Sequence, residues 1–108
     1  MHAGSSNRSV AERVADALIE AAEAKNRAAV MRKIADRRLD ALFLSKEGAI
    51  DIRKAQARSD MDYIRAEDAA MEAEHAANIA KARLDAVQIE WETWRTLEAN
   101  KRAEMNLR

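Results

Sequence analysis

A chain of 108 residues with 19 basic and 19 acidic side chains has no formal net charge, and so lacks the electrostatic footprint that nucleic acid or an anionic membrane selects. The absence of cysteine excludes disulfide scaffolds and thiolate metal sites, and no apolar run approaches the ~20 residues needed to span a bilayer. With no proline, two glycines, 35% charged residues and 25 alanines, the composition points to an all-α fold: alanine favours helix strongly but builds thin cores.

Residues 1–8 have no apolar centre of the kind a signal peptide needs, and they read as a disordered leader. A cytoplasmic setting is the corresponding expectation. Ser9 followed by Glu12 has the spacing of a capping box, in which hydroxyl and carboxylate satisfy each other's backbone N–H groups. From there Val10, Val14, Ala17, Ala21, Ala24, Ala28, Met31, Ala35 and Leu42 keep alternating steps of three and four, broken only by Arg38. This is the seam of a helix that lies along another helix, and it predicts a first helix over about 9–46.

The segment Leu39-Asp40-Ala41-Leu42-Phe43-Leu44 is apolar on more than one helical face and calls for extra cover. A turn over about 47–49 follows, with Gly48 at a position suited to a left-handed backbone and Lys46 at the helix C-terminus. A second helix over about 50–106 is expected, with Ile50 and Ile52 folding back under Leu42 and Phe43. Ser59, with Asp62 three residues on, is able to cap a fresh helix or to mark a bend; continuity with at most a kink is the expectation. The second seam runs Ala70, Ala73, Ala77, Ala80, Leu84, Val87, Trp91 and Trp94, with Met105 in phase further on.

Two helices joined by a short turn form an antiparallel, coiled-coil-like helical hairpin. A turn centred on residue 48 sets Val10 near Ala86. It sets the basic stretch Lys25, Arg27, Arg32, Lys33, Arg37 and Arg38 near Asp60, Asp62, Glu67 and Asp68. Intramolecular pairing then explains the basic stretch better than a phosphate-binding face does. On this register the second helix overhangs the first, exposing Trp91, Trp94, Leu97, Met105 and Leu107. Ile79, Ala82, Ala86 and Ile89 form another apolar line off the seam. A second copy, in a dimeric four-helix arrangement, is the expected remedy.

Glu72 and His75 have the Glu-x-x-His spacing of helical metal sites, and Glu20 and Glu23 lie roughly level with them. The motif is nearly unavoidable in a glutamate-rich helix, and a solvated histidine is the better reading. No metal, cofactor or catalytic residue is expected, and the chain reads as a non-enzyme. The interface candidates are Trp91, Trp94, Leu97, Met105, Ile79 and Ile89. Arg95, Lys101, Arg102 and Arg108, interleaved with the tryptophans, are the candidates for nucleic-acid contact.

The runs EWETWRTLEANKRAEM and GAIDIRKAQARSDMDYIRAEDAA resemble small helical proteins of unknown function encoded by bacteriophages and prophages. The resemblance covers about Glu47 to Met105. It implies a viral or bacterial cytoplasmic setting near phage DNA metabolism and carries no catalytic residues. The expected function is a homo-oligomeric protein that binds an unidentified protein partner through its C-terminal helix. The alternative is an accessory nucleic-acid binder using the bases of that helix.

Overall fold

The computed structural model describes residues 6–107, with side chains from Ser9. The described residues are all-helical: α1 (Ser6–Ser45), α2 (Ile50–Ser59) and α3 (Met61–Leu107). Of the expected leader, residues 1–5 lie outside the described residues, and Ser6–Arg8 already belong to α1. Ser9 is therefore inside the helix rather than at its cap. The chain forms two compact units, one from residues up to Ala22 with Ile79 onward, the other from Glu23 to Asn78.

In the Glu23–Asn78 unit, α1 pairs with α3 along a strip of small residues. Ala28, Ala35, Ala70 and Ala73 are buried, and Ala35 and Ala70 are fully covered. Ala24, Met31, Ala66 and Ala77 are half-buried on the same strip, which places it on the three-four spacing of the seam. At Arg38 the seam changes step: Arg38 is exposed and Leu39 is half-buried in its place. The pattern then continues through Leu42 and Lys46, so four residues have been inserted in the repeat, which locally unwinds such a pair.

α1 ends where Ser45 Oγ donates to the Leu42 carbonyl and Lys46 N–H donates to that of Phe43. Gly48 carries the turn with φ 107°, a conformation that a side chain strains. α2 then lies against the end of α1, with the Arg53 guanidinium 4.7 Å from the Phe43 ring centre. Ala57 is buried, and it shares with Leu39 and Phe43 a hollow of about 240 Å³. The expected cover by Ile50 and Ile52 is not what is found: they are 56% and 55% exposed, as Leu44 is 77%. The cationic stem of Arg53 and the methyl of Ala57 lie there instead.

The second helix is not continuous. Ser59 Oγ bonds back to the Ala55 carbonyl within α2, and Asp60 is extended, with φ −68° and ψ 133°. Asp60 is the cap of α3, its carboxylate accepting from the Asp62 N–H at 2.9 Å and its carbonyl from that of Ile64. Lys46 Nζ donates to the same carboxylate at 3.3 Å. These two interactions hold the Asp60 carboxyl below its ordinary value, the Asp62 N–H contributing most.

In the other unit, Val10 and Ala17 of α1 and Ala80 of α3 are buried, with Val14, Ala21, Leu84, Val87, Trp91 and Trp94 half-buried between them. Arg13 is paired with Glu90, and Glu20 with Arg83 at 3.1 Å. Partners descend on α3 as they ascend on α1, so the two helices run in opposite directions. A turn at residue 48 had Arg13 opposite residue 83 and Glu20 opposite residue 76; both partners lie seven residues further on, one heptad. On that offset Val10 is level with residue 93, between Trp91 and Trp94, Val14 with residue 89 and Ala17 with residue 86. The turn-centred register holds for α2, where Phe43 meets Arg53, and is lost after the break at Asp60.

Candidate interaction surface

The register changes what the C-terminal helix presents. Trp91 and Trp94 stack with ring centres 5.2 Å apart and planes 23° from parallel. Both are half-buried on the seam beside the first turns of α1, not on an overhang. α1 is described from Ser6, which the Arg13–Glu90 pair sets level with about residue 97. From there to Leu107, α3 has no described residue of α1 beside it. Leu97, Met105 and Leu107 on that stretch are 55%, 73% and 88% exposed.

The other face of α3 is open too. Ile79 and Ile89 are exposed, as are Ala82 and Ala86 between them. Ile89, Thr93, Thr96 and Leu97 line a shallow hollow of about 340 Å³ with Glu92. Thr96 returns its hydroxyl to the Glu92 carbonyl, so the threonine presents its methyl without an unmet donor. Four of the six interface candidates, Ile79, Ile89, Leu97 and Met105, are therefore freely exposed, and the two tryptophans serve the helix pair as well.

Among the bases, Arg95 and Arg102 are exposed and make no ion pair among the described residues. Lys101 approaches Glu98 at 3.6 Å, and Glu98 takes a half-buried seam position. Arg95 shares a second hollow of about 290 Å³ with Glu92, Thr96 and Ala99. Arg108 lies outside the described residues.

One ionic cluster stands out in the Glu23–Asn78 unit. The Arg32 guanidinium donates to Glu67 at 2.6 Å and, through Nε and Nη2, to both oxygens of Glu74 at 3.2 and 2.7 Å. The Tyr63 hydroxyl donates to the Glu67 oxygen that also accepts from Arg32. Arg32 holds the Glu74 carboxyl below its ordinary value, and burial, with the Glu67 charge adding to it, pushes the Tyr63 hydroxyl above 10.0. Glu67 and Glu74 are seven apart, so one fork spans two turns of α3 and opposes sliding along the featureless alanine strip. The expected row of charge pairs is reduced to this cluster and Lys46–Asp60; Lys25, Arg27, Lys33 and Arg37 make no ion pair among the described residues.

Comparison with protein-family models, with curated proteins and with solved structures finds no match for the chain. The site rests on its geometry. His75 is exposed, Glu20 is engaged by Arg83, and no group of three or more His, Asp or Glu residues placed to hold a metal occurs among the described residues. No described helix is long and apolar enough to cross a membrane.

Proposed function

We propose that this chain is a non-enzymatic, homo-oligomeric protein built on an antiparallel coiled-coil hairpin, which binds other proteins through the C-terminal part of α3. The observation that supports this reading most is the stretch from about residue 97, where Leu97 stands exposed level with the described start of α1 and Met105 and Leu107 stand exposed with no described part of α1 beside them. Large aliphatic side chains exposed on an unaccompanied helix are what a groove or another helix takes up. The phage resemblance fits a small adaptor working in a bacterial cytoplasm.

The test is a Leu97→Asp, Met105→Asp double variant. Both positions are exposed, so helicity by circular dichroism stays at the wild-type level while partner proteins are no longer recovered from the native host. Recovery of the same partners by the double variant refutes the assignment of this surface.

A second reading draws on the unpaired Arg95 and Arg102, one face apart by seven residues and next to the stacked tryptophans. It makes the same helix a contact for single-stranded nucleic acid, with Lys101 and Arg108 assisting. Fluorescence anisotropy with oligonucleotides decides it. Binding that weakens as salt rises supports it, and no binding at low salt rejects it.

A further inference from the structure

The Glu23–Asn78 unit has an unaccompanied face of its own. Arg32, Glu67 and Glu74 mark one flank of its seam. Ile34 and Ala69 stand two residues beyond Arg32 and Glu67, some 200° around each helix, and so lie on the opposite flank. On α1 this flank carries Arg27, Val30, Ile34, Arg37, Ala41 and Leu44, spaced by threes and fours; every one is exposed, Val30 by 54% and Ile34 by 43%. On α3 the same spacing gives Asp62, Arg65, Ala69, Glu72 and Ala76, also all exposed.

The two halves of this face differ in charge. Arg27 and Arg37 outweigh Glu23 on α1, while Asp62 and Glu72 outweigh Arg65 on α3. Neither base is used in an ion pair among the described residues, nor is either carboxylate. The centre is apolar and sterically uneven, with bulky Val30 and Ile34 on α1 and small Ala69 and Ala76 on α3. Branched side chains on one helix thus have alanine gaps to enter on the other.

We infer that a second copy of this chain occupies this face, with α1 of each copy lying antiparallel on α3 of the other. Two copies meeting face to face have two symmetric choices. One sets α1 antiparallel on α1; with the two-fold near Arg32 it places Arg27 against Arg37 of the other copy and Val30 against Ile34. The other sets α1 on α3 at the level of its own partner residues, placing Arg27 beside Glu72, Arg37 beside Asp62 and Arg65, and the branched residues against alanine. Both choices give a four-helix arrangement in which every neighbour is antiparallel, and charge and shape favour the second. The inference rests on the homo-oligomeric part of the proposed function and is independent of the C-terminal surface.

The experiment is sedimentation equilibrium on the full chain and two charge-reversed variants, Arg27→Glu with Arg37→Glu, and Asp62→Lys with Glu72→Lys. Each variant alone dissociates more readily than wild type, by about tenfold or more in Kd since two-fold symmetry repeats every contact. An equimolar mixture of the two recovers much of the lost affinity. Because the chain has no cysteine, single Ile34→Cys and Ala69→Cys variants report orientation. Oxidation joins a mixture of the two as a covalent dimer and leaves Ile34→Cys alone unjoined. Efficient joining of Ile34→Cys to itself overturns the arrangement, as does a dimer indifferent to both charge reversals. A monomeric wild type overturns it together with the homo-oligomeric reading, whereas failure of the C-terminal variant to lose partners leaves it standing.

Discussion

The alanine strip between α1 and α3 is the thinnest part of the fold, and glycine substitution measures whether it is packed. Ala70 is fully covered, while Ala69 beside it on the same helix is exposed. At concentrations low enough to keep the chains apart, where Ala69 and Ala76 are uncovered, the loss in Ala69→Gly is the helix propensity alone, about 1 kcal/mol. In Ala70→Gly the same propensity is lost and a buried methyl with it, worth about 0.8 kcal/mol more. The pair should therefore differ by about 0.8 kcal/mol in urea unfolding, or by roughly 3–6 °C in Tm for a chain of this size. Ala73→Gly and Ala76→Gly, buried and exposed respectively, repeat the comparison one turn on. Equal losses within each pair would show that the strip is not a packed contact, and the register argued from it would go too.

Two further expectations follow from the ion pairs. Arg13→Glu and Glu90→Arg should each cost under about 1 kcal/mol, since both side chains are half in water, and the double exchange should restore most of the loss. Additive losses in that cycle would mean that the two residues do not face each other. The Asp60 and Glu74 carboxyls are held below their ordinary values of 3.8 and 4.5. Their contribution is thus fully present above those values and is lost as pH falls through the lower folded-state values. The urea midpoint should drop on acidification below about pH 4.5, and Asp60→Asn with Glu74→Gln should flatten that drop. A parallel fall in the double variant would place the acid sensitivity elsewhere.

Helix content and both seams were legible because alanine, valine and leucine recur at three-four steps with no proline to interrupt them. Every seam position of α1 from Val10 to Leu42 other than Arg38 is buried or half-buried, as is that of α3 from Ala70 to Trp94. Register was not legible. Alanine opposite alanine looks the same after a shift of one heptad, so the information lies in Arg13, Glu20, Arg32 and their partners, which a count of charges does not pair. The break at Asp60 had a local signal in the Ser59-Asp60 pair, but the capping residue is the aspartate, whose short carboxylate reaches the Asp62 N–H. Missing that break moved the tryptophans onto an overhang, whereas they lie level with Val10. The exposed Leu97 and Met105 kept their place because they lie at or beyond the level of the described start of α1 on either register.

The most direct test of the account as a whole is the solution mass of the full chain by light scattering from micromolar to sub-millimolar concentration. A homo-oligomer gives a mass approaching twice 12.1 kDa or a larger multiple as concentration rises. A mass that stays at 12.1 kDa throughout would contradict it.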